Sequence, residues 1–236
     1  MREQLRHEVS ELLKDVTKPD GTAYNIYADG LKIFTTVNYS MQPKLETWVK
    51  SDLQPTVEKW YPILIEYMKS LDYSAPDKIL IEFTYNYKGV ACADGSHILC
   101  DPNWFIENIN GEATGAIVHE LAHVVQHYGY LASGENNPSW LIEGIADYYR
   151  WFKFEKNPAG TIPRDLEKAS YTDSYRITGG FINYLIKNQK KDIANILNQV
   201  MREGKYNPDI WIKLTGNSVS QLWEEYIKSV KDRVTN

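Results

Sequence analysis

No apolar run in this 236-residue chain approaches the ~20 residues that a membrane span needs. Basic residues do not outnumber acidic ones: 26 stand against 31, a net charge of −5, and no basic block, recognition helix or RNA-binding signature is present. Nucleic acid is therefore not an expected partner. Internal repeats and low-complexity tracts are missing as well. Cysteine is scarce, with Cys92 and Cys100 alone, which do not make a zinc-finger set. Ala93-Asp94-Gly95-Ser96 reads as a two-residue hairpin turn that sets Cys92 opposite His97 and turns Cys100 to the other face. That geometry is wrong for a disulfide, so two free thiols are expected. Met1 to Val16 is charged, with helical spacing at Leu5, Val9, Leu12, Leu13 and Val16, and lacks the apolar core of a signal peptide. The expectation is a cytoplasmic chain, or one that starts downstream of a removed signal.

What is present suffices for a core. Hydrophobic residues make up 43% and aromatics 13%, enough for one large domain or two lobes around a cleft. Lys32 to Tyr39 and Ile79 to Tyr85 read as strands. Leu45, Trp48, Val49, Leu53, Val57, Trp60, Leu64 and Met68 follow helical spacing, with Pro55 and Pro62 expected to kink or divide the helix. A helix is predicted from about Glu112 to Tyr128, stopped by Gly129. After the loop Ala132 to Asn136, Asn137 reads as an N-cap and Pro138 as the first helical residue of a segment reaching about Phe154. Beyond Asn157-Pro158-Ala159-Gly160 the pattern turns all helical, over 174–187, 191–203 and 218–231. Ser218-Val219-Ser220-Gln221 starts the last segment as a capping box. The chain thus divides into an N-terminal flank (1–20), a mixed lobe (21–157) and a helical lobe (158–236), which together form one catalytic unit.

The chemistry is concentrated in His119-Glu120-Leu121-Ala122-His123. One helical turn apart, the two histidines point the same way and can chelate one zinc ion, with Glu120 beside them to reach a water. A hydrolytic zinc takes three protein ligands, and the third has three candidates: Glu143, Asp147 and His127. A third histidine ten residues after the first is excluded, because that position is Gly129. His127 lies two turns from His119 and drifts about 80° around the axis, so it and Gln126 read as helix end and rim. Glu143 is the better choice, since a second helix packed on the first can deliver its carboxylate.

Glu120 reads as the general base. Developing charge on a carbonyl oxygen needs a further donor. All five histidines (7, 97, 119, 123 and 127) precede the helical lobe, so a tyrosine must serve there. Tyr175, at a helix start, is the first choice and Tyr171 the second. Trp140 reads as packing beneath the site and Arg150 as a salt-bridge partner. The strands near 89–101 are expected to offer an edge to extended substrate, testable by proline at Val90 or Ile98.

The spacing of Glu143 from His123 and its Glu-x-x-x-Asp pattern resemble the thermolysin-type gluzincins. That resemblance implies that Asp147 accepts a hydrogen bond from a ligand histidine, His119. Closer still, Trp140-Leu-Ile-Glu-Gly-Ile-Ala-Asp-Tyr-Tyr-Arg150 and Tyr175-Arg-Ile-Thr-Gly-Gly-Phe-Ile-Asn-Tyr184 resemble the basic secretory protein family of zincin-like peptidases. Gly89-Val-Ala, Leu197-Asn-Gln-Val-Met-Arg202 and Leu214 to Tyr226 match it too, and the likeness covers roughly residues 22–230. It implies an α+β zincin-like fold with a cleft between its lobes, a secreted or periplasmic location, and a Zn²⁺-dependent peptidase acting on peptide or protein substrates. It also places Tyr175 at a family tyrosine. The chain departs from the family's name in being acidic, with pI ≈ 5.6. The competing expectations are a catalytically degenerate zincin that binds metal or peptide, or acts in defence, and a zinc amidase acting on a non-peptide amide.

Overall fold

A computed structural model describes residues 32–36, 43–128, 137–173 and 175–235. The N-terminal helical spacing, His7, Gly129 and the loop at 132–136 lie outside the described residues. Four short strands form one mixed sheet: β1 (Lys32–Thr36), β2 (Lys78–Phe83), β3 (Ala91–Asp94) and β4 (His97–Cys100), in the order β1-β2-β4-β3. The first two pairings are parallel and β3–β4 is antiparallel, so β3 is an edge. In β2 the period-2 alternation buries Ile79, Ile81 and Phe83 against the helices.

The hairpin register differs from the sequence expectation. Asp94 faces His97 and Cys92 faces Leu99, which leaves Gly95-Ser96 as the two-residue loop. Gly95 has φ 58 at the first loop position, where a type II′ turn requires a residue free of a Cβ. Both cysteines are free, Cys92 exposed and Cys100 buried.

Helix α1 (Pro43–Trp48) runs through a wide π turn (Val49–Leu53) into α2 (Gln54–Tyr67). Pro55 explains the widening: it has no N–H, and its ring displaces the carbonyl four residues back. Pro62 lies inside α2 without dividing it. A short helix, α3 (Pro102–Asn108), has no counterpart in the periodicity reading; Asp101 caps it by accepting the Asn103 amide at 3.0 Å.

Helix α4 (Ala113–Gln126) carries the His-Glu-x-x-His segment and packs on α2 and β3. It ends earlier than predicted, with His127 in the left-handed region at φ 51. The Arg202 guanidinium takes the carbonyls of Val125 and Gln126, which a continuing helix would have used internally. Helix α5 (Ser139–Tyr148) widens into a π segment (Tyr149–Phe154). Its cap position is Pro138 rather than Asn137, whose amide donates to the Met201 carbonyl at 2.8 Å.

The described residues beyond are helical where regular: α6 (Tyr175–Asn188), α7 (Ile193–Arg202), α8 (Asp209–Thr215) and α9 (Val219–Thr235). The capping box of α9 forms in both directions, Ser218 N to Gln221 Oε1 at 2.8 Å and Gln221 N to Ser218 Oγ at 3.3 Å. One continuous apolar core runs from Ile79 and Phe105 through Ile117, Leu121 and Ile145 to Phe181, Leu197 and Trp211. The fold is thus mixed α+β, a small sheet with helices around it.

Candidate active site

A cleft of about 850 Å³ opens between β3, α4, α5 and the start of α6. Helix α4 forms its floor, because Ile117, Leu121, Val124 and Val125 bury one stripe and leave His119 and His123 facing the opening. Helix α5 lies across α4 with Leu141, Ile145 and Ala146 in the core, which turns Glu143 and Asp147 toward the histidines. Close passage of α6 then brings Tyr175 over them. At Gly144 an added Cβ would meet Thr178 Cγ2 at 2.2 Å, and at Gly179 it would meet Tyr148 N at 3.1 Å.

Three ligand-type atoms converge. His119 Nε2 and His123 Nε2 are 2.9 Å apart, and each lies 3.0 Å from Glu143 Oε2. Among the described residues these three side chains form the group able to hold a metal ion. The second nitrogen of each ring has its own partner. His119 Nδ1 lies 2.7 Å from Asp147 Oδ1, and His123 Nδ1 lies 2.6 Å from Gln126 Oε1. The hydrogen-bond network therefore assigns the protons to Nδ1 and leaves lone pairs on both Nε2 atoms.

Three ligand-type atoms facing one another at 2.9–3.0 Å could hold a cation between them. The spacing is slightly tighter than the ~3.3 Å separating tetrahedral ligands held ~2.0–2.1 Å from zinc, so small outward movements admit the ion. The residues fit a metal. Burial opposes charging His119, but its bonds to Asp147 and Glu143 prevail and its pKa is pushed up to about 10. Burial likewise opposes ionisation of Glu143, yet the two imidazoles hold its carboxyl well below the usual range.

Glu120 is 8% exposed, and its Oε2 accepts the Ala93 amide of β3 at 2.9 Å. Asp101 N donates to Val90 O, so alternate residues Ala91 and Ala93 turn their backbone groups away from β4. The edge toward the cleft is therefore β3. Ile98 belongs to the inner strand β4 and is fully buried, which removes it as an edge position.

Tyr175 is 56% exposed, with its ring 6.2 Å from that of His119. The Glu143 charge raises its pKa first, then burial, so the phenol keeps its proton. Tyr171 is elsewhere, packed on Trp140, Phe181 and Trp223. His127 lines the cleft beside Tyr73 but is outside the converging set. Trp140 stacks on Trp211 in the aromatic layer, Arg150 pairs with Glu112 and Glu155 at 2.8 Å each, and His97 pairs with Glu82 at 2.9 Å. Gln126 is the contact that sequence reasoning missed. Its position three residues after His123 put it on the same helix face, which was the available signal.

Among the described residues no helix is long and apolar enough to cross a membrane. Comparison with curated proteins and with solved structures found no match. A family model described as a peptidase of plants and bacteria matches residues 50–226, a span that contains the whole cleft. On that match the chain belongs to the basic secretory protein family, a family of peptidases.

Proposed function

We propose that this protein is a zinc-dependent peptidase of zincin type, with His119, His123 and Glu143 as metal ligands, Glu120 as general base and Tyr175 as oxyanion donor. The observation that carries this reading is the convergence of two imidazole lone pairs and one carboxylate oxygen on a single point in the cleft. Two imidazoles and a carboxylate with an open side suit zinc better than the hard cations calcium or magnesium. A bound zinc would polarise the scissile carbonyl and make the attacking water more acidic.

The chain's own residues account for the remaining steps. Glu120, oriented by the Ala93 amide, takes a proton from the attacking water and passes it to the leaving amine as the C–N bond breaks. Tyr175 donates its phenol hydrogen to the developing oxyanion. Asp147 keeps the His119 ring turned with Nε2 inward. The β3 edge pairs with extended substrate through Ala91, since the Ala93 amide is already engaged by Glu120. The two-lobed division at about residue 157 and a secreted or periplasmic location belong to the same proposal.

Metal analysis combined with a peptide-library assay, with and without chelator, tests it. One zinc per chain and chelator-sensitive cleavage are expected. Zinc without cleavage of any peptide would favour a non-catalytic binding protein on the same scaffold, and a chain that takes up no zinc would sink the reading.

A further inference from the structure

We infer that Gln126 is the positioning residue for His123, fixing which nitrogen of that ring faces the metal; this rests on the metal-site reading above. Gln126 is 1% exposed, so neither end of its amide has water to satisfy it. Its Nε2 lies 2.9 Å from the Ile142 carbonyl oxygen, a group that can only accept. The NH₂ end must therefore face Ile142, and Oε1 must face His123. Oε1 in turn can only accept, so His123 Nδ1, 2.6 Å away, carries the proton. By elimination Nε2 keeps its lone pair, and this is the atom that faces Glu143 at 3.0 Å.

The chain of constraint begins at a backbone carbonyl, which cannot rotate independently of its helix. Ile142 directly precedes Glu143, so one amide ties the ring of one ligand to the backbone that carries another. The carbonyl of Gln126 is itself held by Arg202 Nε at 3.2 Å, which limits movement of the last turn of α4. The two histidines are thus oriented by different chemistries. His119 has an anionic acceptor in Asp147, whereas His123 has a neutral one whose direction is set by its other end.

Zinc affinity measured by chelator competition on the full chain tests this, together with ring-nitrogen NMR of the zinc-loaded protein. Wild type should show His123 bound through Nε2 with a slowly exchanging Nδ1 proton. Gln126→Met is close in shape and lacks both hydrogen bonds; it should weaken zinc binding roughly 10- to 100-fold and lose that proton signal. Gln126→Glu keeps an acceptor for the His123 Nδ1 proton and should bind zinc more tightly than Gln126→Met.

Three results would overturn the inference while the zinc reading stands: Gln126→Met binding zinc as tightly as wild type, Gln126→Glu failing as badly as Gln126→Met, or ligation of His123 through Nδ1 in wild type. The last needs no variant to fold. Equal zinc affinity in wild type and Gln126→Met removes the role of Gln126 and leaves the zinc reading standing. No zinc uptake by wild type removes both.

Discussion

Glu120 is anchored at its carboxylate by the Ala93 amide, and its backbone sits in the middle of α4, so replacing it by glutamine changes charge without changing shape. Glu120→Gln should retain zinc and lose kcat/KM by roughly 10²- to 10⁴-fold. Metal content and peptide hydrolysis measured on the same preparation check this, and undiminished hydrolysis would reject Glu120 as the base. Tyr175 offers a cleaner separation, because a side chain 56% exposed contributes little to folding. Tyr175→Phe should lower kcat about 10²-fold with KM and thermal midpoint nearly unchanged. Steady-state kinetics beside a melting curve provide the test; a drop in the midpoint with kcat preserved would assign Tyr175 to packing instead.

At the scale of elements, the site depends on how closely α5 and α6 approach. Gly144 and Gly179 remove the side chains that would hold these helices apart, and Thr178 fills the space over Gly144. Gly144→Ala places a methyl group 2.2 Å from Thr178 Cγ2, in a buried contact. Overpacking of this kind should cost about 1–3 kcal/mol, read as a lower urea midpoint. Activity should fall more than folded fraction, because the displaced helix carries Tyr175. Equal losses in both would show that the helix separation does not set the tyrosine. Helix α4 is fastened at its other end by ions: Glu112 accepts from Arg150 at 2.8 Å and from Arg176 at 2.6 Å, and both guanidiniums lie over the Trp151 ring.

For the whole molecule, a buried tie is made by Arg202, 5% exposed. It donates to the carbonyls of Met68, Val125 and Gln126, to Asn198 and to Ser70, and lies 3.8 Å from the Tyr73 ring centroid. Those carbonyls are the C-terminal ends of α2 and α4, where helix dipoles concentrate negative charge that a cation offsets. One side chain of α7 therefore joins the sheet-side helices to the C-terminal helices. Arg202→Met strands two buried acceptors, the Val125 and Gln126 carbonyls, at ~1–3 kcal/mol each, while Asn198 still serves the Met68 carbonyl, so a loss of about 2 kcal/mol or more is expected in denaturant unfolding. A change under about 0.5 kcal/mol, the range of an ordinary surface substitution, would show that the carbonyls find other partners.

Local periodicity made much of this legible. The one-turn spacing of His119 and His123, the buried stripe of α4, the all-helical end and the Ser218 capping box all follow from interactions within a few residues along the chain. The shift of the hairpin by one residue, the early stop at His127 and the use of Asn137 away from its cap did not. Each is decided by a partner distant in sequence or by a small difference in turn energy. The same division runs through the site. Residue types and short spacings determined by themselves that two imidazoles would share one helix face with a carboxylate between them. Only the tertiary structure decided that Glu143 Oε2 reaches both rings, that Tyr175 rather than Tyr171 overlooks them, and that the Ile142 carbonyl turns Gln126 toward His123. These depend on the angle and distance at which α4, α5 and α6 pack, and that packing is set by the combined burial of the core and the glycines that let the backbones close.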